Sequence, residues 1–116
     1  MNQRAQVLLW GAQRISAMVL ALCVVVHLLT MIYAVRSGLS AAEILGRTQG
    51  SIAWFAFYTL FVFAVAVHAP IGLRTILSET FNWRGRGLDV LTGAIGLSLA
   101  MWGMRAVFGV FGAGAA

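Results

Sequence analysis

Charged residues are scarce in this sequence. They make up 9% of the 116 residues, whereas a soluble domain usually carries about 25%. Hydrophobic residues make up 61%, and the mean hydropathy is +0.92. Because so little polar sequence cannot cover the surface of a soluble globule, the composition predicts an integral membrane protein.

Three other residue types that are absent or scarce exclude particular classes of protein. Lysine is absent, and the arginines do not form a basic stripe of the kind that binds nucleic acid. The acidic residues Glu43, Glu79 and Asp89 all fall in predicted connections or at a span edge, which argues against an ion or multidrug transporter, since such proteins need an embedded acid. The single cysteine, Cys23, can form neither an intrachain disulfide nor an iron–sulfur cluster.

Three apolar stretches are long enough to cross a bilayer, since each has roughly the 20 residues that a spanning helix needs. They cover residues 15–35, 52–73 and 88–111, with a short helical pattern at 40–45 in the first connection. The first stretch is longer than the apolar core of a signal peptide and no clear cleavage site closes it. The sequence therefore predicts an all-α membrane protein of three transmembrane helices, with residues 1–116 as a single domain.

The distribution of arginine predicts the orientation. Five arginines lie in the amino-terminal segment and the second connection, and three lie in the first connection and near the end of the third span. Because positively charged segments remain in the cytoplasm, we expect a cytoplasmic amino terminus and an external carboxyl terminus. The five are Arg4, Arg14, Arg74, Arg84 and Arg86, and the three are Arg36, Arg47 and Arg105.

Both histidines of the chain, His27 and His68, lie within predicted spans. An ionisable group at membrane depth is costly and usually functional, and imidazole is a standard axial ligand of haem iron. His27 is ~18 Å from the cytoplasmic edge and His68 is ~9 Å from it, from the rise per residue. Two sites at different depths therefore fit better than one haem held by both. A hydrogen bond to a neighbouring helix, or a proton relay, is the alternative for each histidine.

Small and polar residues gather on one side of the first predicted span, which indicates that this side faces protein rather than lipid. On the second span, Ala64 and Gly72 flank His68 at a spacing of four and leave a flat wall for a planar ligand. Pro70 lacks a backbone donor and leaves the Ala66 carbonyl without its helical partner. The stripe on the first span comprises Ser16, Leu20, Cys23, His27, Thr30 and Ala34. The third span has small residues that permit close helix contact: Gly93, Gly96, Ala100 and Gly103.

Three segments carry a family resemblance. His68-Ala69-Pro70-Ile71-Gly72-Leu73-Arg74 resembles the second-helix motif H-x3-G-I/L-R of the cytochrome b membrane-anchor subunits of the succinate dehydrogenase/fumarate reductase family. Gln13-Arg14-Ile15-Ser16-Ala17 resembles the HR-I/V-SG start of the first helix, with glutamine where the family has histidine. His27-Leu28-Leu29 resembles the first-helix histidine of the two-haem anchors. The resemblance covers nearly the whole chain.

The resemblance implies specific roles for these residues. His68 and His27 would be axial ligands of haem b, with Arg74 near a haem propionate, or bound only to lipid phosphate. A quinone site would lie at the cytoplasmic end of the first helix, formed by Arg14, Ser16 and Gln13. The alternative for Arg14 is a topology anchor without a ligand.

The resemblance also implies an activity and partners. The chain would be the haem b-binding anchor of a succinate:quinone oxidoreductase or fumarate reductase in a bacterial inner membrane. It would dock a flavoprotein and an iron–sulfur subunit and carry electrons to or from quinone, without a dicarboxylate active site of its own. Because the family takes two histidines per haem, a second anchor chain is expected, either another copy or a sister subunit. A haem-free structural subunit and a small transporter are the alternatives.

Overall fold

The computed structural model describes residues 2–112, which form four α-helices and no strand. Three of these helices are long and apolar enough to cross a membrane, as the sequence predicts for this part of the chain. The protein is therefore an all-α, multi-pass membrane protein. The helices are α1 (Gln3–Arg36), α2 (Ala41–Thr48), α3 (Ile52–Phe81) and α4 (Arg86–Phe111).

Helix α1 begins twelve residues before the first predicted span. The side chain of Asn2 caps it by accepting a hydrogen bond from the amide of Ala5 at 2.8 Å. Its 34 residues measure ~51 Å at the standard rise, well beyond the ~30 Å of the bilayer's hydrocarbon core. The first turns of α1 therefore extend past the predicted membrane edge.

Helix α3 is also longer than its predicted span, since it continues through residues 74–81, which the sequence assigns to the connection between the second and third spans. These residues contain neither glycine nor proline and continue the helix to Phe81. The helix ends at Asn82, which has a left-handed backbone with φ of 53°. Residues 82–85 then lead into α4. We call the end of the bundle where α1 begins and α3 ends the inner end, and the opposite one the outer end.

Helix α3 is the central helix of the bundle. It packs against α1 on one side and α4 on the other, whereas α1 and α4 scarcely touch each other within residues 2–112. The predicted stripe on α1 faces the protein, since Ser16 and Cys23 are its buried residues. Most other apolar side chains of the long helices are exposed, so their surface is available to lipid or to other subunits.

Close packing between α3 and α4 depends on glycine. A Cβ atom at Gly96 would lie 2.8 Å from Cγ of Pro70 and 3.1 Å from the carbonyl oxygen of Ala66. This is the carbonyl that Pro70 leaves without a helical partner, and Gly96 lets α4 cover it. A Cβ atom at Gly103 would lie 2.6 Å from a methyl group of Val62.

The short helix α2 closes the outer end, at the place where the sequence shows a helical pattern. Ser40 and Glu43 form a capping box at its start. The Thr48 hydroxyl donates to the carbonyl of Val110 at 2.8 Å, and the Gly50 amide donates to the carbonyl of Phe111 at 2.9 Å. These two bonds, which we call the outer clasp, join the end of α2 to the end of α4.

Candidate functional site

A cavity of about 680 Å³ lies between α1 and α3 at the inner end. We call it the His68 cavity. Four of the six site residues predicted from the sequence line it: Gln13 and Arg14 from α1, and His68 and Arg74 from α3. The other lining residues are Gln6, Leu9, Trp10, Ile71, Gly72, Thr75 and Ile76.

Helix spacing determines this arrangement. His68 and Gly72 are four residues apart, so they lie on the same face of α3. A Cβ atom at Gly72 would be 3.3 Å from Nε2 of Gln13. The missing side chain thus leaves room for Gln13 to reach across from α1. The Oε1 atom of Gln13 is buried and has no hydrogen-bond partner among residues 2–112.

The imidazole of His68 also has an unsatisfied atom. Its Nδ1 is buried without a hydrogen-bond partner in the described part of the chain. Leaving such a polar atom unpaired costs about 1–3 kcal/mol. A bound ligand, or a group supplied by another chain, would recover that free energy. The cavity therefore combines an imidazole with an unpaired Nδ1, an unpaired amide oxygen and two guanidinium groups.

The two arginines of the cavity have different partners. Arg74 donates from Nε to Oδ1 of Asp89 at 2.9 Å, which forms an ion pair with the first turn of α4. The guanidinium carbon of Arg14 lies 5.2 Å from the ring centre of Trp10, within the range of a cation–π interaction. Because the described lining contains no carboxylate, the cavity has a net positive wall suited to acceptor or anionic groups.

Ser16 is the predicted quinone residue that the structure places elsewhere. It is buried on α1, and its hydroxyl donates to the carbonyl oxygen of Gln13 at 3.1 Å. It does not line the His68 cavity. Ser16 is therefore in contact with the backbone that carries Gln13 rather than with the cavity itself.

His27 lines a second space nearer the outer end, a groove of about 550 Å³ between the three long helices. We call it the His27 groove. The imidazole makes edge-on contacts with Tyr58 and Phe61, with ring centres 6.0 and 5.5 Å apart. Its Nδ1 is buried and unpaired within residues 2–112. The other lining residues are mostly apolar: Val62, Val65, Leu99, Trp102, Gly103, Ala106, Val107 and Val110.

The two histidines do not share a site in this chain. The His68 cavity and the His27 groove have no lining residue in common. Phe61, which contacts His27, precedes His68 by seven residues, or ~10 Å along α3. This separation agrees with the difference in depth expected from the sequence. Residues 2–112 also contain no group of three or more His, Cys, Asp or Glu side chains that could hold a metal ion.

Sequence reasoning missed the contribution of the first turns of α1. Gln6 and Leu9 line the His68 cavity, yet they precede the predicted span. The signal was present, because residues 6, 9, 13 and 16 continue the buried stripe of α1 at helical spacing. The pairing of Arg74 with Asp89 was also missed, since it depends on how the turn at 82–85 brings α4 back against α3.

Comparisons with known proteins complete the description of the site. No curated protein and no solved structure matches the chain. A protein-family model, described as the succinate dehydrogenase/fumarate reductase transmembrane subunit, matches residues 1–113. This match covers both histidines, the inner-end arginines and all three long helices, and it agrees with the resemblance found in the motifs. The chain therefore belongs to the family of succinate dehydrogenase/fumarate reductase transmembrane subunits.

Proposed function

We propose that the chain is the haem b-binding membrane anchor of a succinate:quinone oxidoreductase or fumarate reductase in a bacterial inner membrane. In this role it docks a flavoprotein and an iron–sulfur subunit at its inner end and carries electrons to or from quinone. The haem assignment rests on one observation. Each of the two intramembrane histidines has a buried, unpaired Nδ1 and lines its own cavity.

The residues present fit haem b. Each imidazole can supply one axial nitrogen to iron, and haem would supply a one-electron redox couple at that depth. The apolar lining of the His27 groove suits the face of a macrocycle. Beside His68, the missing side chain of Gly72 leaves room for the Gln13 amide to approach α3. Arg74 provides a cation at the edge of the His68 cavity for a propionate.

A quinone head group belongs at the inner end of α1 in this proposal. Quinone carbonyls accept hydrogen bonds, and the Gln13 amide and the Arg14 guanidinium are two of the donors that α1 contributes to the His68 cavity. Ser16 supports the site indirectly by donating to the carbonyl of Gln13. This arrangement would bring quinone close to the histidine ligand at the inner end.

The inner end is also the docking end in the proposal. Residues 3–14 of α1 and 74–81 of α3 continue as helix beyond their predicted spans on this side. With the turn at 82–85 and Arg86 at the start of α4, they form a surface that carries five arginines, in line with the predicted cytoplasmic location. A subunit docked there would lie directly over the His68 cavity.

A second anchor chain completes the haem sites in the proposal. Each site contains one histidine from this chain, whereas haem b in the family has two histidine ligands. A two-fold axis along the membrane normal keeps every residue at its own depth, so His68 would meet its copy and His27 its copy. A sister subunit with matching histidines would serve equally.

A reduced-minus-oxidised absorption spectrum of the purified complex tests the proposal. We expect the band of a low-spin b-type haem, present in a fixed ratio to the anchor chain. The same measurement in the presence of quinol should show reduction of the haem. A complex that retains its dehydrogenase subunits but shows no haem absorption would favour a haem-free structural anchor and contradict the proposal.

A further inference from the structure

Arg74 lies between two spaces of the molecule. It lines the His68 cavity and also a groove of about 640 Å³ on the side of α3 that faces α4. Asp89 lines that second groove and accepts a hydrogen bond from Nε of Arg74 at 2.9 Å. The two side chains are 24% and 58% exposed. Because ion pairs this exposed contribute little to folding, a purely stabilising role accounts poorly for the contact.

Buried neighbours fix the position of Asp89. Leu88 is fully buried, and Thr92, one turn later, is 5% exposed. The Thr92 hydroxyl donates to the carbonyl of Leu88 at 2.9 Å, and the Asp89 amide donates to the carbonyl of Gly85 at 3.2 Å. The first turn of α4 is therefore anchored in the protein. It presents the Asp89 carboxylate to Arg74 from a fixed backbone.

We propose that Asp89 is a positioning residue for the His68 cavity. It holds Nε of Arg74 and leaves the terminal guanidinium nitrogens for the carboxylate of the ligand, a haem propionate. A guanidinium is planar, with five N–H donors in fixed directions, so fixing one nitrogen orients the others. Helix α4 thus takes part in a site that it does not line. This inference rests on the proposed haem site at His68.

The test measures the midpoint potential of the haem that is lost in His68→Ala, by redox titration of the purified complex. The Arg74→Gln variant should have a lower potential. Loss of the positive charge favours the oxidised haem, which is the more positive form. If Asp89 acts by orienting Arg74, Asp89→Asn should also lower the midpoint potential. Asp89→Glu, which keeps a carboxylate, should have the wild-type potential. Asp89→Asn should add no further shift in an Arg74→Gln background. Glu79→Gln, an exposed carboxylate change at the end of α3, is the control and should leave the potential unchanged.

Each other result contradicts the inference. A potential raised by Asp89→Asn would show that Asp89 acts directly through its own negative charge. If Asp89→Asn lowers the potential in the wild-type protein and also shifts it in the Arg74→Gln variant, Asp89 does not act through Arg74. An unchanged potential would leave the ion pair as a structural contact between α3 and α4. A wild-type complex without b-type haem would remove the proposed function itself, and it is recognised by its missing absorption band.

Discussion

At the residue scale, the histidines are distinguished by what surrounds their rings. His68 has arginine and amide groups in its cavity, whereas His27 has aromatic and aliphatic neighbours. If both bind haem, the site at His68 is the more polar one and carries the cation for a propionate. A more positive local field stabilises the reduced form, so the two haems should differ in potential as well as in depth.

Replacement of each histidine should remove a different haem. We expect His68→Ala to lose the haem of the polar inner site and keep the other, and His27→Ala to do the reverse, because the cavities share no residue. Haem content and absorption spectra of the two purified variants, with insertion checked by immunoblotting of membranes, provide the measurement. Identical spectra from the two variants, or full haem content in His68→Ala, would contradict separate sites.

Arg14 should contribute to quinone turnover without holding haem. Loss of a charged donor costs about 1.5–3 kcal/mol, so Arg14→Leu should lower quinone reductase activity about 10- to 100-fold while haem content stays unchanged. Arg4→Leu removes the same charge from the same end, outside the cavity lining, and is the matched control. If both variants turn over at the wild-type rate, Arg14 is only a topology anchor.

Much of the His68 cavity is predictable from sequence because its key residues share one helix. His68, Gly72 and Arg74 follow from the spacing of a single motif, and Gln13 and Arg14 follow from the start of the first span. The partner of Arg74 is not predictable in this way. Nothing local indicates that Asp89, fifteen residues later, returns to it, because that contact depends on the turn between two helices.

At the element scale, hydropathy locates the spans but not the helix ends. The apolar pattern of α3 weakens at Arg74, and the helix nevertheless continues to Phe81. Hydropathy reports where a segment leaves lipid, whereas α3 ends where Asn82 adopts a left-handed backbone, a common way for a helix to end. The same distinction explains why α1 begins twelve residues before the first predicted span.

Close approach of α3 and α4 should be sensitive to one methyl group. Gly96→Ala would place Cβ against Pro70 and the Ala66 carbonyl, and we expect it to lower the free energy of unfolding by about 1–3 kcal/mol. Gly93→Ala is the matched control, since a Cβ atom there has nothing within 4 Å. Detergent or urea unfolding of the purified protein measures both. Equal stability of the two variants would mean that α4 relaxes away from α3 without cost.

At the scale of the whole molecule, the three long helices form an open arrangement rather than a closed bundle. With α3 between α1 and α4, and with those two scarcely touching within residues 2–112, much apolar surface remains uncovered. Part of it faces lipid. The proposed second anchor chain would cover another part and would supply the second histidine at each haem.

The assembly should contain two haems for each pair of anchor chains. We expect the purified anchor to be a dimer, or a pair with a sister subunit, because neither the His68 cavity nor the His27 groove holds a second histidine. Native mass spectrometry together with haem quantification tests this stoichiometry. A monomeric anchor with a single haem that depends on both His27 and His68 would contradict the two-fold arrangement.

The outer clasp affects the order in which parts of the chain can fold during membrane insertion. The Thr48 hydroxyl meets the carbonyl of Val110, 62 residues downstream, and the Gly50 amide meets that of Phe111. During synthesis, the Thr48 hydroxyl can donate only to the Ile44 and Leu45 carbonyls of α2 itself, and the Gly50 amide lacks its Phe111 acceptor, until α4 has emerged and been inserted. The clasp can therefore form only after α4 is in place, and we expect the connection between α1 and α3 to become more resistant to proteolysis at that point.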